Sequence, residues 1–201
     1  LSASLHGGSL VANYPFDNSR EDNAMLKVAN PTEDDDVFKH LALVYARRHP
    51  TMHRGEGCPE NYANAKFPNG TVNGAEWFPF KGSMQDYNYI AHGCMEITLE
   101  ISCCEFPEPS QLSLAWSQNS EPLLAFLEES RRGIRGLILD EGGSPVPNAS
   151  LRILGRESVS FPSTPKGEFW RILLSGTYIL HVEAEGFENT TMPVTLTEPA
   201  E

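Results

Sequence analysis

The sequence predicts an α/β domain over residues 1–132, followed by a small all-β sandwich over residues 133–201. Two patterns carry this prediction. In the first part, strand-like alternation and helix-like spacing of apolar residues occur in turn, whereas the second part has short β-rich runs separated by Gly, Pro and Asn. A chain of 201 residues that is 40% hydrophobic is long enough to bury one ordinary core or two small ones.

Periodicity and turn chemistry place the first elements. Residues 1–5 alternate and lead into a His-Gly-Gly sequence, so we expect a strand that ends at His6. A capping-box pattern from Thr32, followed by apolar residues at helical spacing, predicts an amphipathic helix that ends before Pro50. The helix is followed by a long loop over residues 50–82, which is rich in Gly, Asn and Pro and is expected to be functional.

Later elements complete the domain and begin the sandwich. Strict alternation predicts a strand over residues 95–102, with one apolar face and one polar face that carries Glu100. A closing amphipathic helix over residues 110–131 is predicted from Leu112, Trp116, Leu123, Leu124 and Leu127. The β-rich runs of the sandwich are residues 134–139, 150–154, 169–174, 178–185 and 193–196.

Composition excludes several classes of function. The formal net charge is −12 and the basic residues are scattered, so we expect no nucleic-acid partner. The sequence contains no apolar run of about eighteen residues, which argues against a membrane span, and its first residues lack the pattern of a signal peptide. Acidity suits basic partners, although it also serves solubility in many secreted proteins.

Cysteines and sequons indicate a compartment. The cysteines are Cys58, Cys94, Cys103 and Cys104. They lack the paired C-x-x-C spacing of a structural zinc site, and two adjacent cysteines favour oxidised or buried roles. Sequons for glycosylation, each in a predicted loop or strand edge, begin at Asn69, Asn148 and Asn189. Together these features indicate an extracellular or secretory-pathway protein and leave membrane association open.

Four residues are candidates for a catalytic site, and each also has an ordinary structural interpretation. His6 ends a strand before two glycines, which suits a metal ligand, although an ordinary loop histidine gives the same pattern. Glu100 lies mid-strand, where it is either a general base toward a water molecule or a solvated glutamate. Asp17 and Gln85 offer a carboxylate and an amide oxygen to a cationic group, or both are surface residues.

Three longer strings resemble one enzyme family. They are L-H-G-G-S-L-V-A-N-Y-P-F-D at 5–17, N-G-A-E-W-F-P-F-K-G-S-M-Q-D-Y-N-Y at 73–89 and E-I-T-L-E-I-S-C-C-E-F-P at 96–107. They resemble the regulatory metallocarboxypeptidases, the branch of family M14 that contains carboxypeptidases D, M, N and E. The resemblance covers essentially the whole chain. It implies the C-terminal half of a carboxypeptidase-type mixed sheet, followed by a transthyretin-like sandwich.

The resemblance also implies roles for the candidate residues. Such enzymes hold Zn²⁺ with two His and one Glu, and His6 matches the last of these ligands. Glu100 matches the general base and acid, while Asp17 and Gln85 match the pocket that binds a terminal Lys or Arg. Phe78 stands where the family usually has a substrate-binding Tyr, and the loss of that hydroxyl is expected to cost about 1–3 kcal/mol.

The family pattern further implies a disulfide between Cys58 and Cys103, and leaves Cys94 and Cys104 either as buried thiols or as a second bridge. The upstream zinc ligands of the family lie outside residues 1–201, so we expect this chain to be inactive on its own.

The predicted function is thus a zinc-dependent carboxypeptidase that releases C-terminal Arg or Lys from peptides and proteins. The alternative is a non-catalytic extracellular peptide-binding or adhesion domain. Phe78 favours the alternative, whereas the presence of both His6 and Glu100 opposes it.

Overall fold

The computed structural model describes residues 1–20, 26–58 and 65–197. The chain divides into two compact units, one of Leu1–Tyr89 and Cys94–Ser130, the other of Ile90–Gly93 and the chain from Arg131 onward. Within the described ranges, no helix is long and apolar enough to cross a membrane.

The helices and strands up to residue 132 are, in chain order, β1 (Ser2–His6), β2 (Ser9–Tyr14), α1 (Asp35–Arg48), β3 (Thr71–Asn73), α2 (Gly74–Trp77), α3 (Met84–His92), β4 (Glu96–Ser102) and α4 (Leu112–Glu128). The strands beyond it are β5 (Ile134–Leu137), β6 (Ser150–Ile153), β7 (Arg156–Pro162), β8 (Glu168–Arg171), β9 (Gly176–Glu183) and β10 (Thr190–Leu196). The segment predicted as a loop over 50–82 therefore also contains β3 and α2, which are too short to show a period in the sequence.

A mixed sheet in the order β1-β4-β2-β3 forms the centre of the first unit. β4 runs parallel to β1 and antiparallel to β2, and β3 runs parallel to β2. The strand predicted to end at His6 is confirmed, and so is the alternating strand β4. Ile97 and Leu99 on β4 are fully buried, and the polar side chains alternate with them onto the opposite face.

Helix α1 begins later than its sequence pattern predicts. The Thr32 hydroxyl does not cap the helix but accepts the N–H of Asp34 over 3.1 Å, and the helix begins at Asp35. Thr32 is thus held in a local side-chain-to-backbone turn outside the helix. The helix packs against α4, where the buried Tyr45 donates its hydroxyl hydrogen to Asn119.

Helix α4 buries a different side from the one its apolar residues suggest. Its buried residues are Asn119, Pro122, Ala125 and Phe126. Four of the residues that define the predicted apolar face are more than half exposed, namely Leu112, Trp116, Leu124 and Leu127. Apolar residues occur on more than one side of this helix, so its packing against α1 and β4, not its pattern, selects the buried side.

The second unit has only β-strands as regular elements in its described part beyond Arg131. An antiparallel sheet has the order β10-β9-β6-β7, and a second antiparallel pair joins β5 to β8. Strand β7 lies outside the predicted runs, although Val159 and Phe161 alternate along it and are buried. The runs that the sequence did predict are all confirmed as strands, with shifted bounds. The core of the unit includes Val146, Ala149, Leu151, Ile153, Val159, Leu173 and Leu180.

Candidate active site

His6 and Glu100 meet across two parallel strands. β1 and β4 pair with His6 opposite Glu100, and His6 Nδ1 lies 3.0 Å from Glu100 Oε2. The His6 side chain is 57% exposed and the Glu100 side chain 9% exposed. The imidazole therefore faces solvent while the carboxylate is shielded, and the structure joins two of the predicted site residues by a direct hydrogen bond.

The polar face of β4 is buried rather than solvated. Glu96 is 3% exposed and accepts a hydrogen bond from Asn88 on α3 over 2.7 Å. On the same face, Thr98 donates to Gln85 on α3 over 2.8 Å. This helix thus contacts Glu96 and Thr98 on the face that carries Glu100, and Glu100, at 7% exposure, is not the solvated glutamate of the ordinary interpretation.

The environment changes the proton affinity of both paired groups. The hydrogen bond that His6 donates to the Glu100 carboxylate, together with the charge of that carboxylate, raises the pKa of His6. Burial raises the pKa of Glu100 and outweighs the opposite effect of His6. A carboxyl group that takes up a proton more readily than free glutamate is better suited to act as both acid and base.

His6 and Glu100 line a cavity of about 460 Å³, here called the His6 cavity. Its apolar wall contains Phe67, Trp77 and Phe78, and Lys27 and Glu105 add charged groups. The volume lies in the range of small-ligand sites, about 300–1,000 Å³. The fold therefore brings three predicted residues, His6, Glu100 and Phe78, to one concave surface.

Asp17 lies in the turn after β2 and is 1% exposed. Asn13 Nδ2 donates to Asp17 Oδ1 over 3.0 Å, and the Asp17 N–H donates to Asp86 Oδ1 over 2.9 Å. Gly74 makes room for this carboxylate, because a Cβ there would lie 1.8 Å from Asp17 Oδ1. Burial raises the pKa of Asp17 to about 6, and the charge of Asp86 adds to the effect.

Gln85 is also buried, at 1% exposure, in the first turn of α3. Its Oε1 accepts the Thr98 hydroxyl, and its Nε2 has no hydrogen-bond partner among the described residues. The register of β2 and β4 sets Asn13 opposite Thr98, so one cross-strand pair links the residue that holds Asp17 to the residue that holds Gln85. Neither Asp17 nor Gln85 is among the described residues that line the His6 cavity.

Phe78 follows α2 directly and is 65% exposed. Its ring centroid lies 6.2 Å from that of Phe80, with the two planes tilted by 56°. The pair begins the loop of residues 78–83, which leads into α3. Phe78 thus projects an apolar ring, without a hydroxyl, at the His6 cavity.

The cysteines divide into one bridge and two thiols. Cys58 and Cys103 form the disulfide implied by the family resemblance, with their Cα atoms 5.5 Å apart. It joins the segment after α1 to the end of β4, and Cys58 lines the His6 cavity. Cys94 and Cys104 are free thiols, partly buried and exposed respectively.

All three sequon asparagines are exposed. Asn69 and Asn148 adopt positive φ angles of 61° and 55°, in the left-handed region that asparagine tolerates better than most residues. Asn189 lies just before β10 and donates from Nδ2 to Glu183 Oε1 over 3.3 Å.

Three buried polar residues that support the site were not predicted. Two of them, Asn13 and Asp86, hold the carboxylate and the backbone of Asp17. The third is Asn73, whose Nδ2 donates to the Pro15 carbonyl over 2.9 Å and so fixes the turn that precedes Asp17. Their signal in the sequence is a polar residue within an apolar or aromatic run, as Asn13 is within V-A-N-Y-P-F.

Comparison with known proteins identifies the family. The profile of peptidase family M14, zinc carboxypeptidase, matches residues 1–122. The chain belongs to this zinc carboxypeptidase family. The profile of the carboxypeptidase regulatory-like domain matches residues 133–201, so an M14 domain is followed by a regulatory domain of the transthyretin-like type.

Relatives in this family are similar along nearly the whole chain. Carboxypeptidase M of Mus musculus is 42% identical over 197 residues, which cover 98% of this chain and 44% of that protein. Carboxypeptidase D of Homo sapiens is 43% identical over 199 residues, which cover 98% of this chain and 14% of that protein. The carboxypeptidase N catalytic chain of Rattus norvegicus is 41% identical over 199 residues, which cover 98% of this chain and 42% of that protein. The chain therefore spans less than half the length of each of these relatives.

Family membership implies zinc, and the residues of the His6 cavity fit it in part. The exposed imidazole of His6 is a group that zinc takes readily, and Nε2 is its ring nitrogen outside the hydrogen bond with Glu100. Within the described ranges, however, no group of three His, Cys, Asp or Glu side chains could hold a metal ion. A catalytic zinc site takes three protein ligands, so the described residues do not make a complete site by themselves.

Proposed function

We propose that this chain forms part of a zinc-dependent carboxypeptidase that removes C-terminal Arg or Lys from peptides and proteins. The observation that carries the proposal is the pair of His6 Nδ1 and Glu100 Oε2, 3.0 Å apart on the wall of an open cavity. A metal-ligand imidazole beside a shielded carboxylate is the combination that metal-assisted hydrolysis of a peptide bond uses. Membership of the zinc carboxypeptidase family supports the same reaction class.

Glu100 is the proposed acid–base group. Zinc, with His6 as one ligand, would supply a Lewis acid that polarises the scissile carbonyl. Glu100 takes a proton from the attacking water, whose oxygen bonds to the carbonyl carbon. It then gives a proton to the amine as the C–N bond breaks, which releases the terminal amino acid. The raised pKa of Glu100 suits the second step, because the acid form must persist until the amine leaves.

Asp17 is the proposed specificity group. Its carboxylate is 1% exposed, so solvent and salt would screen its attraction for a guanidinium or ammonium group only weakly. Gln85 supports it from α3, where the Thr98 hydroxyl can donate to the Gln85 oxygen or accept from its nitrogen. The amide can therefore turn its oxygen toward a cationic substrate group, as a pocket for Arg or Lys requires.

We also propose that residues 1–201 alone do not catalyse the reaction. The described residues lack a three-ligand metal group, and one imidazole does not hold catalytic zinc. The remaining ligands would come from catalytic-domain residues joined upstream of this segment. We use "extended protein" for residues 1–201 joined to such an upstream segment.

Peptide hydrolysis tests these proposals. Matched peptides that end in Arg, Lys or Leu are incubated with the 201-residue chain and with the extended protein, each with zinc or with chelator. We expect the extended protein with zinc to cleave the Arg and Lys peptides only. Glu100→Gln should lower its kcat by at least about 100-fold, the lower range for removal of a general acid–base group.

Glu96→Gln is the matched control, because Glu96 lies on the same face of β4 but does not line the cavity. It should weaken folding through its lost hydrogen bonds and keep turnover per folded molecule. If the extended protein binds zinc and peptide but cleaves none, the carboxypeptidase proposal fails. Cleavage that prefers Leu would refute the role of Asp17.

The second candidate is a non-catalytic extracellular peptide-binding or adhesion domain. The observation in its favour is Phe78, which projects an exposed ring without a hydroxyl into the cavity. The two functions differ in one result. A binding domain would hold Arg-ended peptides without releasing arginine, with or without zinc.

We propose that the protein enters the secretory pathway and carries glycans at Asn69, Asn148 and Asn189, since all three are exposed. The Cys58–Cys103 disulfide agrees with an oxidising compartment. We also propose a domain boundary between residues 132 and 133, near the division at Ser130 and Arg131. Expression in a secreting cell line, with and without an amidase that removes N-linked glycans, tests the glycans through a shift in mass.

A further inference from the structure

We propose that the pair of Phe78 and Phe80 selects substrates with an apolar residue immediately before the basic C-terminal residue. This inference rests on the proposed function and extends it from the terminal residue to the penultimate one. The paired rings, here called the Phe78–Phe80 wall, are the recognising surface.

The wall is an apolar surface that is open to solvent in the 201-residue chain. Phe78 and Phe80 are 65% and 44% exposed, yet their ring centroids lie within 6.2 Å of each other. Single exposed apolar residues are ordinary, but here one ring, Phe78, lines a concave site and contacts a second large ring, Phe80, and binding sites expose apolar surfaces of this kind. Nearby, Phe67 and Trp77 pack edge to face at 5.4 Å and extend the apolar lining of the His6 cavity.

The position of the acid–base group decides which peptide residue meets this wall. The scissile bond must lie at Glu100, and the proposed pocket for the terminal side chain, Asp17 and Gln85, is outside the lining of the His6 cavity. The cavity therefore receives the part of the peptide on the other side of the scissile bond. The first side chain on that side belongs to the penultimate residue, and we place it against Phe78, the member of the wall that lines the cavity.

Charges in the cavity work against an acidic penultimate residue. Among the described residues that line it, Glu100 and Glu105 carry carboxylates, and Lys27 and His6 are the basic groups. A carboxylate side chain would meet the like charges of Glu100 and Glu105, whereas an apolar side chain meets no like charge. The expected order of preference is leucine, then serine, then glutamate.

Binding measured without catalysis tests the inference. Fluorescein-labelled peptides of the form Ala-Ala-X-Arg, with X as Leu, Ser or Glu, are titrated into chelator-treated extended protein and followed by anisotropy. We expect the Leu peptide to bind about tenfold more tightly than the Ser peptide, as one buried apolar group typically allows. Phe78→Ala should reduce this ratio to about one, and Phe80→Ala should reduce it in part.

Phe187→Ala is the matched control, since Phe187 is 50% exposed in the second unit and should leave the ratio unchanged. If Phe78→Ala does not fold, the ratio measured with Phe80→Ala tests the inference in its place. Equal affinities for the three peptides, absence of binding, or a ratio that neither substitution changes would overturn the inference. A preference for Glu would also overturn it and assign selection to Lys27. Cleavage of the same peptides with zinc separately tests the proposed function, so selective binding without cleavage would refute only that function.

Discussion

Replacement of Asp17 by asparagine should stabilise the folded chain at neutral pH and much less in acid. Burial raises the folded-state pKa of Asp17 to about 6, against an ordinary value of 3.8. A carboxyl group with a raised folded pKa favours the folded state when protonated. Its contribution is fully present below about pH 3.8 and is lost as the pH rises through about 6. At pH 7.5 the chain therefore carries a buried charge that asparagine would remove.

The size of the effect follows from the pKa difference. A shift of about two pH units, at about 1.4 kcal/mol per unit, corresponds to about 3 kcal/mol at pH 7.5. At pH 4.5 the folded state is already protonated while the unfolded chain is largely ionised, so about 1 kcal/mol remains. Asparagine has the same shape and its Oδ1 can still accept from Asn13. The full electrostatic gain should thus be nearly retained.

Urea-induced unfolding of the 201-residue chain, followed by tryptophan fluorescence at pH 7.5 and pH 4.5, measures the gain. Asp35→Asn is the control, because its carboxylate pairs with Lys39 on the surface of α1 and such pairs contribute less than about 1 kcal/mol. An equal gain from Asp17→Asn at both pH values, or no gain at pH 7.5, would show that Asp17 does not carry a buried charge. The same variant should lose selectivity for basic substrates. The Asp17 carboxylate would thus lower the stability of the fold at neutral pH and provide the recognition of basic substrates.

Further predictions concern pH, the Phe78 ring and the disulfide. For the extended protein, kcat/KM for Arg-ended peptides should fall below about pH 6, because protonated Asp17 no longer pairs with the guanidinium, while citrulline-ended peptides should not share this added fall. Phe78→Tyr should raise kcat/KM by at least about fivefold, equivalent to about 1 kcal/mol, and an unchanged value would show that a hydroxyl has no role there. Replacement of both Cys58 and Cys103 by serine should lower the free energy of unfolding by about 2–4 kcal/mol in urea titrations, whereas Cys104→Ser should leave it within about 0.5 kcal/mol.

Much of the candidate site could be predicted because its residues lie within strings that keep their order along the chain. His6 ends a strand and Glu100 alternates with apolar residues, so both strands are visible as local patterns. Their meeting is not local. It requires β1 and β4 to pair in parallel at one register, across 94 residues, and a shift of one residue would turn Glu100 to the other face.

The polar residues behind the site show the same limit. The alternation of β4 does not reveal whether its glutamates are solvated or buried. Their burial is a property of the packed fold, in which α3 contacts Glu96 and Thr98 on that face. Likewise, Asp86 accepts a hydrogen bond from the backbone N–H of Asp17, although the two residues are 69 positions apart in the sequence. No spacing rule within one element predicts such a bond.

The helices differ for a related reason. Helix α1 has one apolar side, so its existence and buried side follow from the sequence, and only its start is displaced by the local bond at Thr32. Helix α4 has apolar residues on several sides, and a pattern of that kind does not specify which side is buried.

The sequence by itself determined what short-range chemistry can encode: the strand before His6, the alternation around Glu100, the β-rich second part and the strings that mark the zinc carboxypeptidase family. The tertiary structure alone decided the 3.0 Å contact of His6 with Glu100, the burial that raises the pKa of Asp17 to about 6, and the exposure of the Phe78–Phe80 wall. Each of these depends on which segments far apart in the chain exclude water from one another, and that property belongs to the packed fold rather than to any local pattern.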